Sequence, residues 1–217
     1  MDRLSSFVNN LSTVRTNDIL FNQYSSTDNS VYSLATKTNL LCYLTEMYQR
    51  KPTTILVGEA PGHKGCRLTG VPFTSEDIIA SDKYDFFSYD KSSKEALTLL
   101  NYSPQKESTA TMMWNTFSAL DFYPLLWNAC PFHPFNKGNS KSNRRPTTDE
   151  VNTYGKKPFL ELCDIFKIKQ IVAVGKTAEH ALNSFGIKDF HSLPHPSYGN
   201  KTAFVTGLTK LVGVRVT

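Results

Sequence analysis

The chain has no apolar run long enough to cross a bilayer as a helix, which takes about 20 residues. No low-complexity tract interrupts it. Residues 1–16 contain Leu4, Phe7, Val8 and Leu11 but no continuous apolar region, so a secretory signal is not expected there. Cysteine is sparse: Cys42, Cys66, Cys130 and Cys163 stand far apart, and none forms a Cys-x-x-Cys pair. With no signal, this usage leads us to expect reduced thiols in a cytoplasmic protein, and neither a metal nor a cluster site. Complete nucleotide-binding motifs are also missing. Gly175-Lys176-Thr177 has the end of a phosphate-binding loop, but position 170 is Gln where that loop needs Gly. Gly58-Glu59-Ala60-Pro61-Gly62 departs from the dinucleotide pattern, because Pro61 removes an amide that would cradle phosphate.

What is present is the composition of a globular chain. Its 217 residues, 40% of them hydrophobic, are enough for one domain with its own core. The net charge of +5 suits a polyanionic partner and equally an ordinary surplus of surface lysine.

The periodicity alternates. Leu4, Phe7, Val8 and Leu11 predict a short amphipathic helix, and residues 34–50 a longer one with Leu34, Leu41, Leu44 and Tyr48 on its face. Residues 22–33 read as turns. Strands are expected at 53–57, 123–129, 171–174 and 189–193. Helices are expected at 111–120, 148–166 (capped by Thr147 with Glu150 and kinked at Pro158), 176–185, and around Ala203, Phe204, Leu208 and Leu211. Strands alternating with helices predict a three-layer α/β/α sandwich around a mainly parallel, four-stranded sheet, with residues 1–50 as a helical elaboration.

Three expected strand ends carry a polar group beside Pro or Gly: Glu59, Asn128 and His195. Ends of parallel strands lie along one edge, so the three can converge on one pocket. Glu59 is suited to act as a base or to stabilise a cation, and reads equally as a loop carboxylate bonded to amides. Phe73, after Gly70 and Pro72, offers a ring for stacking a base or for the core. Asn128 carries a donor and an acceptor, as reading a pyrimidine edge requires, or satisfies a turn. His195, held between prolines, can donate to an oxygen that gains negative charge, or is merely a satisfied histidine. Lys137, Lys141, Arg144 and Arg145, with Lys156 and Lys157 beyond them, make a basic stretch that suits a nucleic-acid backbone or a solvated surface. Ser197, Gly199 and Lys201 could also grip phosphates.

In order along the chain, these stretches resemble the uracil-DNA glycosylase superfamily. Gly58-Glu59-Ala60-Pro61-Gly62 is similar to its water-activating motif. Thr69-Gly70-Val71-Pro72-Phe73 is similar to the segment bearing the aromatic that stacks on uracil. Asn128 matches the strand-end Asn that reads the uracil edge, and His195-Pro196-Ser197 the motif whose His stabilises the O2 oxyanion. The resemblance implies catalysis by Glu59 and His195, and base binding by Gly58, Phe73 and Asn128. It implies DNA contacts from Pro61, Gly62, Lys64, Arg144, Arg145, Ser197, Tyr198, Asn200 and Lys201, with Tyr198 as the wedge that replaces the flipped nucleotide. It further implies action on uracil in DNA, single- or double-stranded, by a monomer without a cofactor and without membrane association. There are two departures. The Cys-x-x-Cys pair of the iron–sulfur branch is missing. His63, Lys64 and Gly65 stand where that branch has acidic residues, in the region that bears on exclusion of thymine's methyl. The alternatives are a glycosylase for another deaminated or mismatched base, a binding-only member of the fold, and a nucleoside hydrolase.

Overall fold

The computed structural model describes residues 2–25, 31–81, 83–84, 103–197 and 199–213. Strands β1 (Leu20–Phe21), β2 (Thr54–Gly58), β3 (Leu125–Asn128), β4 (His133–Pro134), β5 (Gln170–Val174) and β6 (His191–Leu193) form two sheets. The larger is parallel throughout, in the order β3-β2-β5-β6. Every residue of β2 and β3 is buried, as expected where both faces of a parallel sheet are covered. Pro124 has no amide to donate, and β3 begins just after it, two residues later than the periodicity suggests.

The strand order sets the position of the site. The chain leaves β2 toward β3 and leaves β5 toward β6, in opposite directions from neighbouring strands. Right-handed crossovers then put the two connections on opposite faces and open a crevice at the carboxyl ends of β2 and β5.

Around the sheet lie α1 (Asp2–Thr13), α2 (Val31–Arg50), the short α3 (Cys66–Thr69) and α4 (Glu76–Ala80), and α5 (Ser108–Ala119). After β4 come α6 (Thr148–Glu150), a π-turn (Val151–Gly155) and α7 (Lys156–Phe166), then α8 (Lys176–Ser184) and α9 (Lys201–Gly213). Among the described residues no helix is long and apolar enough to cross a membrane. Leu4, Phe7, Val8 and Leu11 are all buried, and the Phe7 ring meets Trp127 of β3 edge-on at 5.5 Å.

One local expectation needs correction and another is refined. The buried face of α2 is Leu40, Tyr43, Leu44 and Met47, while Leu34 and Tyr48 are exposed. The expected face was drawn about one residue off around the helix, because Tyr43 spends its hydroxyl on the Leu126 amide at 2.8 Å and so belongs inside. The irregularity in 148–166 lies at Val151–Gly155, ahead of Pro158. The chain is helical without a break from Thr148 to Phe166, and the π-turn falls in the turn ahead of Pro158, where a proline removes an amide and its ring crowds the carbonyl four residues back, so the expected interruption is displaced by one turn. The Thr147–Glu150 capping box is formed as read.

The N-terminal residues are more than an attachment. β1 pairs antiparallel with β4, a two-stranded ribbon too short for periodicity to reveal. Behind it the Tyr24 hydroxyl donates to the Gly70 carbonyl and the Asn39 amide to the Thr69 carbonyl, both at 2.8 Å. Both bonds clamp the turn that presents Phe73.

Candidate active site

A cavity of about 640 Å³ opens over the carboxyl ends of the sheet. Glu59, Phe73, Asn128 and His195 all line it, so the strand-end groups do converge. Gly58 and Asn128 are register partners on β2 and β3. A Cβ at Gly58 would overlap the Phe73 ring and sit 2.9 Å from the Asn128 Oδ1, so only glycine lets ring and amide meet over this strand end.

Phe73 adopts φ +53, an uncommon conformation for a bulky residue, and its surroundings hold it there. The Thr69 hydroxyl donates to the Thr74 carbonyl at 2.8 Å and accepts from the Val71 amide, while Trp114 Nε1 donates to the Thr74 hydroxyl at 3.1 Å. The ring is half-buried and lines the cavity. Asn128 is buried, and its Nδ2 lies 3.8 Å from Cys66 Sγ.

His195 has a defined tautomer. The Ser197 backbone amide donates to Nδ1 at 3.3 Å, and the Ser197 hydroxyl lies 2.7 Å from the same nitrogen. An amide cannot accept, so Nδ1 is the acceptor and the ring proton sits on Nε2. Burial lowers the imidazole's pKa below the ordinary histidine value, and the charge of Glu59 pulls weakly the other way. At neutral pH the cavity therefore holds a neutral imidazole with an N–H to donate. Glu59 is about one-third exposed, with Arg145 Nε at 3.9 Å from its Oε2.

The expected phosphate contacts divide. Pro61, Gly62, Arg145, Ser197 and Asn200 line the cavity, and Lys64 and Lys201 are exposed outside it. Tyr198 lies outside the described residues. Arg144 lines the cavity too, yet its N–H groups are all engaged inside the protein. They reach the Phe135, Arg145 and Ile19 carbonyls and both oxygens of Glu150. Its side chain is 16% exposed, against 75% for Arg145. A guanidinium so occupied brings no free donor to a phosphate, which corrects the role expected for Arg144.

Other cavity residues were not singled out from sequence as parts of the site: Cys66, Glu107, Thr109, Asn143, Lys176 and Thr177. Asn143 ties the basic loop to the first motif, its Oδ1 accepting from the His63 amide at 2.9 Å. Lys176 and Thr177 belong to the rejected phosphate-loop fragment and enter as the first residues of α8, beside the crevice. His133 lies beneath the first motif, its Nδ1 2.7 Å from the Pro61 carbonyl.

The family model described as uracil DNA glycosylase superfamily matches residues 46–211. No curated protein matches the chain. Among solved structures, the crystal structure of wild-type Pedobacter heparinus SMUG2 is similar, with a TM-score of 0.64 at 16% identity over 98% of this chain and 95% of that one. At this identity the likeness speaks for the fold.

Proposed function

The chain belongs to the uracil DNA glycosylase superfamily, and on that premise we propose that it hydrolyses the N-glycosidic bond of uracil in DNA and so opens base-excision repair. The observation that carries this reading is the convergence of Glu59, Phe73, Asn128 and His195 on one cavity, with the His195 Nδ1 taken up by the Ser197 amide so that Nε2 is left to donate.

A paired base is out of reach, so the nucleotide swings out of the stack at a cost of a few kcal/mol. The base lies against Phe73, and the Asn128 amide meets its N3 and O4 edge. Breaking the bond leaves a cationic sugar and an anionic base. The His195 Nε2–H donates to the O2 on which that charge gathers, and a neutral donor gives its proton no competing role. The Glu59 carboxylate stabilises the sugar cation and orients the attacking water. Arg145, Lys64 and Lys201 are exposed cations that would meet phosphates, and Tyr198 is the wedge.

The test is excision from oligonucleotides carrying uracil, hypoxanthine, xanthine or a G:T mismatch, single- and double-stranded, scored by alkali-labile cleavage. Uracil is expected to be released. Release of another base alone would change the substrate, and failure on every lesion would leave a binding-only protein.

A further inference from the structure

Glu107 occupies the N-cap position of α5, where a carboxylate ordinarily accepts from the first free amides of the helix. It makes no such bond. Its side chain folds back over the turn of the first motif and lines the cavity. A Cβ at Gly62 would lie 3.2 Å from Oε1, and one at Gly65 would overlap Oε2, so two glycines leave room for this carboxyl. Among the described residues no donor reaches either oxygen. Burial, and secondarily the charge of Asp77, push the group above the ordinary carboxyl value.

The place of Glu107 in the wall follows from its neighbours. Asn128 Nδ2 meets Cys66 Sγ at 3.8 Å, and Cys66 follows Gly65, on which the carboxyl rests. The order round the wall is therefore Asn128, Cys66, Glu107. A pyrimidine whose N3 and O4 face Asn128 turns C5 to the next stretch of that wall. Resting on the glycosylase reading, we infer that Glu107 is the residue that selects the substituent at C5, accepting hydrogen there and rejecting an apolar methyl. A methyl pressed on this carboxyl displaces what water it retains and offers no hydrogen bond in return. An apolar pocket discriminates one methyl by only about 10- to 200-fold at best, and a polar wall adds to that.

The experiment compares wild type with Glu107→Ala and the near-isosteric Glu107→Gln. Thermal shifts with free uracil and free thymine read the pocket without catalysis. Excision of uracil and of thymine opposite guanine reads the reaction. Wild type is expected to be stabilised by uracil and not by thymine. Glu107→Ala should respond to both, with the uracil-over-thymine excision ratio reduced about tenfold or more, and Glu107→Gln should keep the discrimination. Because the carboxyl has no partner, neither variant should melt below wild type, a result that separates loss of selectivity from loss of fold. If Glu107→Ala still ignores thymine, or loses both bases equally, the inference is overturned. Whether wild type releases uracil from DNA at all tests the glycosylase reading separately, because the free-base response does not depend on turnover.

Discussion

Two sides of the cavity differ in how their polar groups are held. On the strand-end side, Asn128 is fixed by β3 and His195 by the amide two residues on, so each group is set by its own stretch of chain. On the other side, the turn bearing Phe73 is held from afar. Tyr24, Asn39 and Trp114 reach it across long intervals of sequence, and beside it Glu107 reaches from the start of α5 to Gly62 and Gly65 of the first motif. Local holding makes a group readable from motif and spacing. Distant holding hides it. The strand-end side supplies the chemistry proposed above, and the far side supplies the shape in which a base would rest.

That contrast can be broken most sharply at the strand ends. Glu59→Gln and His195→Ala should each lower single-turnover excision by about 10²-fold or more, with binding of uracil-containing DNA nearly unchanged in a gel-shift titration. Undiminished excision in both would remove them from the chemistry.

A smaller effect should separate two adjacent arginines. Arg144→Ala leaves buried Glu150 without its bidentate partner and several carbonyls without a donor. Unfolding in urea should show a loss of about 3 kcal/mol. Arg145→Ala touches only the exposed, 3.9 Å contact with Glu59. Its stability should be unchanged, while the slope of log K against log salt for DNA binding falls by about 1. Equal behaviour of the two variants would erase the distinction drawn between structural and free cations.

Smallest of all should be the far-side clamp. Tyr24→Phe removes one donor and leaves the Gly70 carbonyl unpaired, at about 1 kcal/mol of stability. If the turn is held from a distance as described, excision should fall as well, although Tyr24 does not line the cavity. A stability loss with unchanged excision would show that Phe73 is held without the clamp.

The readable parts of the molecule share a physical character. Continuous apolar runs between turn residues marked three strands of the parallel sheet, and the fourth was placed as a short stretch before Pro194. The 3.6-residue period marked α1, the glycines at 175 and 186 bracketed α8, and Thr147 with Glu150 marked a helix start. Each of these signals arises within a few residues. The β1–β4 ribbon escaped because two-residue strands carry no period and pair across more than a hundred residues. Glu107 escaped for a related reason. In sequence it is an acidic residue opening a helix, the commonest place for one, and only its failure to cap exposes another use. Arg144 misled because a run of basic residues looks the same whether its guanidinium is solvated or locked onto Glu150.

The sequence by itself determined the alternation of strands and helices, and with it the line of strand ends that carries Glu59, Asn128 and His195, because hydrophobic period and turn chemistry are local. Only the tertiary structure decided which tautomer His195 holds, which arginine is exposed, and which carboxyl fills the gap above Gly62 and Gly65. Those outcomes depend on burial and on how partners near and far in the chain are brought together, and a side chain's charge and hydrogen bonds are settled by what surrounds it in space.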